Sequence, residues 1–234
     1  MMRLMKQIET LPILNHNEYC TTETFDKHSS LLRGGCKRGL FVGGSGCGKT
    51  NVLINLLLHE NGLRFENVYL YSKTLDQPKY EYLRVVLKPI KGLGFYQFQE
   101  GEDIIPPNEA KNNSIIIFDD VITCNQSIIR DYFCYGRHKQ IDCFYLCQTY
   151  SAIKKHLIRD NSNLVVLFKQ DNTNLKHIYN DHVKSDMSFS VFEKLCTLCW
   201  KKDKFGFLVI DKDSVMNDGR YRCGFDCFFQ TSSN

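Results

Sequence analysis

The chain has 234 residues, of which 43% are hydrophobic, 24% charged and 12% aromatic, a globular composition that excludes disorder, collagen and repeat arrays. Its formal net charge of +4 is too small to identify a nucleic-acid partner, and the surplus lies in residues 126–234, which hold 16 basic against 12 acidic side chains. No apolar run approaches the roughly 20 residues needed to cross a bilayer, so no membrane span is expected.

Along the chain, residues 1–35 have weak periodicity and are expected to form a partly ordered N-terminal arm ahead of a single domain over 36–234. In the opening MMRLMKQIETLPIL, Lys6 and Glu9 interrupt any signal-peptide apolar core, so secretion is not expected. In a reducing compartment most of the 11 cysteines are expected as buried thiols. From there on, short β-like runs alternate with helical ones. Strands are expected at 39–42, 67–71, 95–98, 114–118, 143–147, 164–168 and 205–210, and helices at 49–59, 78–87, 125–135, 151–159 and 189–200. The central strands are continuously apolar, as strands covered on both faces are. Asn61 with Gly62, Gly92 with Gly94, and Pro106 with Pro107 punctuate the loops. This order predicts an α/β fold with a mainly parallel central sheet flanked by helices, undivided by any linker.

Directly after the first strand stands GGSGCGKT, comprising Gly43, Gly44, Ser45, Gly46, Cys47, Gly48, Lys49 and Thr50, and the apolar helix NVLINLLLHE follows at once. Gly-x4-Gly-Lys-Thr between a strand and a helix is the P-loop pattern: glycines let successive N–H groups turn inward, and the helix N-terminus adds partial positive charge. A triphosphate is the natural guest, with Lys49 on the β- and γ-phosphates and the Thr50 hydroxyl on Mg²⁺. Cys47 reads as a small filler rather than a nucleophile. The metal's water shell also needs a carboxylate at the end of a buried strand, and SIIIFDD supplies it. Asp119 is the expected metal-shell residue and Asp120 the candidate for polarising the attacking water.

A third piece is GRHKQIDCFYLCQTY, in which a strand ends in Gln148 and Arg137 lies 11 residues before it. Together with the two Walker elements, this arrangement resembles the FtsK/HerA superfamily of DNA-pumping ATPases. It is most similar to the packaging ATPases of poxvirus-type viruses, virophages and Maverick/Polinton elements. The segments YLYSKTLDQPKYEYL, IRDNSNLVVLFKQDNTNLKHIY and RYRCGFDCFF extend the likeness from about Arg38 onward. The resemblance implies a RecA-like P-loop sheet in which the Gln148 strand lies between the P-loop strand and the Asp119 strand. It implies that Gln148 senses the γ-phosphate and that Arg137 is an arginine finger reaching a neighbouring subunit, with Arg159 the competing candidate. Asp120 departs from the superfamily, which usually carries Glu there. Taken singly, Arg137 also reads as an ordinary surface cation and Gln148 as a polar strand end.

The function so implied is an ATP-driven translocase that pumps double-stranded DNA into a viral or virus-like capsid. It would work as a homo-oligomeric ring hydrolysing ATP with Mg²⁺ at its subunit interfaces, in a host cytoplasm or nucleus or with the virion, and beside capsid vertex proteins. Lys154, Lys155, Lys201, Lys202 and Lys204 are the basic candidates for DNA phosphates, against the plainer reading of charged helix ends. The alternative class is a small-molecule P-loop kinase, although the Arg-rich lid such enzymes need is not evident. A guanine-selecting Asn-Lys-x-Asp motif is absent. The pairs Cys196/Cys199 and Cys223/Cys227 have the number of thiols for structural zinc, but their helical and aromatic settings favour packing.

Overall fold

The computed structural model describes residues 26–99, 102–121 and 125–230. Nine strands form one sheet: β1 (Arg38–Val42), β2 (Asn67–Ser72), β3 (Gly94–Gln99), β4 (Ser114–Asp119), β5 (Asp142–Cys147), β6 (Leu164–Leu167), β7 (Leu208–Asp211), β8 (Tyr221–Cys223) and β9 (Cys227–Phe228). Their order is β3-β2-β4-β5-β1-β6-β7-β8-β9. The first six are mutually parallel and the last three antiparallel. The expected α/β class with a mainly parallel sheet is observed.

Alternation along the strands sends neighbouring residues to opposite faces. Leu40 and Val42 join one core with Tyr69, Ile116 and Tyr145, and Phe41 joins the other with Leu70, Ile117 and Leu146. Helices α1 (Lys49–Leu58) and α2 (Pro78–Leu87) cover the second face through Leu53, Leu57 and Leu83. Helices α3 (Gln126–Tyr135), α4 (Asn172–His182) and α5 (Phe189–Lys202) cover the first through Phe133, Ile178 and Phe192. With apolar layers on both sides, the central strands are buried throughout. The chain leaves β1 onto one face and leaves β4 and β5 onto the other, so a crevice opens at the carboxyl ends of these three adjacent strands.

Three expectations are corrected. Residues 151–159 do not form an α-helix: a 3-10 turn at Tyr150–Ala152 is followed by the kinked segment Lys155–Arg159, in which Leu157 has φ +76. Ile153 and Ile158 are both buried, and a spacing of five does not return to one helix face, so the backbone departs from the helix to bury both. The last predicted strand starts at Leu208 rather than 205, because the chain first turns tightly at Gly206, where a Cβ would lie 2.1 Å from the Cys199 carbonyl oxygen. Helix α4 and strands β8 and β9 are additional to the predicted set.

Of the N-terminal arm, 1–25 lies outside the described residues. Residues 26–35 pack on the domain: Leu32 is buried, and His28 Nε2 stands 3.0 Å from Asp142 Oδ1 while its Nδ1 accepts the Arg64 N–H at 3.0 Å. The nine described cysteines are free thiols. Cys196, Cys199 and Cys223 are buried and Cys227 is exposed, and among the described residues no three His, Cys, Asp or Glu side chains gather as a metal site. Burial pushes the Cys36 thiol up to about 11. No helix among the described residues is long and apolar enough to cross a membrane.

Candidate nucleotide site

The loop between β1 and α1 is held from both ends. The Gly43 N–H donates to the Cys147 carbonyl at 3.1 Å, so the loop leaves β1 still tied to β5. A Cβ at Gly43 would sit 2.6 Å from both Cys47 Sγ and Phe168 Cβ, which leaves room only for glycine. Gly46 and Gly48 have φ +72 and +113, the left-handed backbone that side chains disfavour, and Gly48 is the N-cap of α1. Gly44, Ser45 and Gly46 form the exposed crest. The Lys49 ammonium folds over the loop and donates to the carbonyls of Gly43 at 2.6 Å and Gly44 at 3.0 Å. Cys47 is partly buried under this ammonium, 4.0 Å from it.

Two strands bring carboxylate and amide to the same edge. Asp119 is the last residue of β4, buried, and in register with Ser72 of β2 and Leu146 of β5. Burial raises its pKa, the Tyr80 hydroxyl bonded to Oδ2 and the nearby Lys49 charge pull it back, and Asp120 pushes it up again; the net shift is upward. Asp120 is exposed, with φ +55 and its N–H on the Leu146 carbonyl at 3.3 Å. Gln148 directly follows β5, exposed at the same edge. Because β5 pairs with β1 through Cys147 and Val42, and with β4 through Leu146 and Asp119, Gln148 stands between the P-loop and Asp120. The strand order therefore has the Gln148 strand between the other two, as the resemblance implied. Electrostatic contact closes the group: burial lifts the Cys147 thiol to about 12, with Lys49 lowering it and Asp120 raising it.

Sequence reasoning missed Tyr80. This α2 residue is 1% exposed, and its hydroxyl donates to Asp119 Oδ2. Its apolar spacing with Leu83 and Leu87 marks it as a core residue and conceals the polar end.

The arginines separate. Arg137 lies exposed on the 3-10 turn Gly136–Lys139, before β5 begins, at the sheet edge opposite the P-loop; the fold does not bring it to the site of its own chain. Arg159 is buried, with Nη1 2.9 Å from Asp181 Oδ2 and its guanidinium 4.9 Å from the centre of the Tyr150 ring. It is engaged by residues of its own chain. Lys154, Lys201, Lys202 and Lys204 are exposed, as is Lys155, whose ammonium is 3.4 Å from Asp181. Phe205 reaches back to the P-loop, its Cβ 3.6 Å from the position a Gly48 Cβ would take. Beside the loop, Phe168, Phe207 and Phe225 pack in series at 5.2 and 5.7 Å, and Phe207 and Phe225 border a cavity of about 750 Å³ that runs along α1 past Val52 and Asn55.

No family model matches the chain, and no curated protein matches it. Solved structures do. The genome packaging NTPase B204 of Sulfolobus turreted icosahedral virus 2, in complex with sulfate, has a TM-score of 0.57 at 12% identity, covering 85% of this chain and 100% of that one. The same NTPase in complex with AMPPCP scores 0.56 at 13% identity over 81% of this chain and 97% of that one. B204, the DNA-packaging ATPase of Sulfolobus turreted icosahedral virus, scores 0.54 at 15% identity over 80% and 95%. At these identities the likeness is one of fold: the mainly parallel sheet flanked by helices is shared with packaging NTPases.

Proposed function

We propose that this chain is a Mg²⁺-dependent ATPase that drives double-stranded DNA into a viral or virus-like capsid, acting as a ring of identical subunits. The observation that carries the reading is the convergence of Lys49, Thr50, Asp119, Asp120 and Gln148 at one sheet edge, on the adjacent strands β1, β5 and β4. The shared fold with packaging NTPases supports the direction of the work. Fold alone does not specify an activity; the site residues do.

Each side chain has a task in hydrolysis. The P-loop N–H groups and Lys49 hold the β- and γ-phosphates. Thr50 and Asp119 are the residues to hold Mg²⁺, and one hydroxyl with one buried carboxylate suits an ion that keeps most of its waters and leans on phosphate oxygens. When bound, the ion neutralises charge on the β- and γ-phosphate oxygens. Asp120 accepts a proton from the attacking water as its oxygen bonds to the γ-phosphorus and the bond to the bridging oxygen breaks, leaving ADP and phosphate. Gln148, between loop and acid, orients that water and registers the loss of the γ-phosphate. Arg137, at the far edge of its own chain, is available to a neighbour's site, where a finger is worth roughly 10³ to 10⁵ in rate in systems that use one. Exposed lysines, Lys154 and Lys201 among them, would meet DNA phosphates without reading sequence.

The test is phosphate release by the purified chain, with and without duplex DNA. The reading predicts turnover that rises with duplex and loses that stimulation as salt rises, since phosphate contacts release counterions. Turnover that ignores DNA and requires a nucleoside acceptor would replace the motor with a small-molecule kinase.

A further inference from the structure

Among the described residues, several buried tyrosine hydroxyls donate to polar partners. Tyr132 binds the Ile105 carbonyl, Tyr150 binds Asp181 and His182, and Tyr221 binds Asp186. These three hold loops and helices on the face of α3, α4 and α5. Tyr80 is different, because its partner is the acid at the carboxyl edge of β4. Its ring belongs to the apolar cluster under α1 and α2, and only the phenolic oxygen emerges at the site.

We infer that the Tyr80 hydroxyl is a positioning group that orients the Asp119 carboxylate toward the Mg²⁺ of a bound nucleotide, and so sets how tightly the site holds the metal. The inference rests on the nucleotide reading above. Asp119 is in register with Ser72, so β2 and β4 deliver a hydroxyl and a carboxylate side by side. Tyr80 donates its proton to Asp119 Oδ2. One carboxylate oxygen is thereby fixed by the protein. Without the phenolic hydroxyl, a buried carboxylate loses its donor and its fixed orientation together. The arrangement also ties α2, which touches no P-loop residue in sequence, to the metal end of the site.

A tyrosine that merely filled the core would leave metal dependence untouched, and this separates the two roles. Binding of a fluorescent ATP analogue to the full-length chain is measured in EDTA and then across a Mg²⁺ titration. Tyr80→Phe keeps the ring and removes only the hydroxyl. It is expected to bind the analogue as the wild type does in EDTA and to need about tenfold more Mg²⁺ to reach the tighter state, the loss typical of an outer-shell metal partner. Ser72→Ala is expected to shift the titration in the same direction by less, and Tyr82→Phe, on the exposed side of α2, not at all. A Tyr80→Phe titration that overlays the wild type overturns the inference while leaving the nucleotide site standing. If Tyr80→Phe melts before it can be titrated, Ser72→Ala decides by the same readout, an unshifted curve counting against Tyr80. A wild-type chain that binds no analogue in either condition removes the nucleotide reading itself, and this inference with it.

Discussion

Lys49 is held by the loop it belongs to. Its ammonium sits on the carbonyl oxygens of Gly43 and Gly44, and among the described residues no carboxylate lies within ion-pair distance of it, although its charge reaches Asp119. On the proposed function, Lys49→Ala removes the phosphate ligand and breaks no short ion pair. Phosphate release is expected to fall to background while the thermal midpoint stays at the wild-type value; retained hydrolysis would take the loop out of the mechanism. Asp120 carries a second lesson at this scale. The superfamily it resembles usually has Glu here, and in this chain the position has φ +55, a left-handed conformation in which Asp is among the better-tolerated side chains. The backbone turn gives a physical reason for the shorter acid. Asp119, buried and raised in pKa, and Asp120, exposed, are adjacent in sequence yet occupy two different environments, which suits one to hold a metal's shell and the other to meet water.

Among the elements, those with strong local signals were legible and those defined by distant partners were not. The strand before the P-loop, the apolar SIIIF run and the helix beginning at Lys49 could be read because period, flanks and length all agree. Segment 151–159 misled because its helical composition is overruled by tertiary anchors: Tyr150 on Asp181 and His182, and Arg159 on Asp181. The site's loop, acids and glutamine were readable as motifs, whereas Tyr80 was not, since a phenol that packs in a core and a phenol that binds a metal-shell acid look alike in sequence. Helix α4 was missed although its start is written in the chain. Asp171 caps it, with Oδ1 accepting the N–H groups of Thr173 at 2.8 Å and Asn174 at 2.9 Å. Those bonds, the Asn174 backbone bond foremost, hold the Asp171 carboxyl below its usual range. A depressed folded-state pKa means stability that is present above the unfolded-state value and lost as pH falls through the folded one. Asp171→Ala is expected to lower the thermal midpoint at neutral pH, and the gap to wild type should close as the carboxylate of the wild type is protonated in acid. A gap that is constant with pH would show that the ionised cap contributes nothing.

For the whole molecule, the decisive feature is that the proposed nucleotide-site residues gather at one edge of the sheet and an exposed arginine, Arg137, lies at the other. The two ends of the parallel strands are separated by the length of β5, so Arg137 does not assist the P-loop of its own chain. Arg159, buried against Asp181 and Tyr150, is no substitute. On the proposed function, a complete site needs the edge of a second copy, which a ring would supply to every member. The most direct measurement of this claim is ATP hydrolysis by mixtures of Arg137→Ala and Asp119→Ala chains, in the presence of duplex DNA. Each variant alone is expected to be inactive, with Arg137→Ala still binding ATP, and the mixture is expected to recover part of the wild-type rate at seams where an intact Asp119 site meets an intact Arg137. No recovery in mixtures that demonstrably co-assemble would contradict a site shared between subunits.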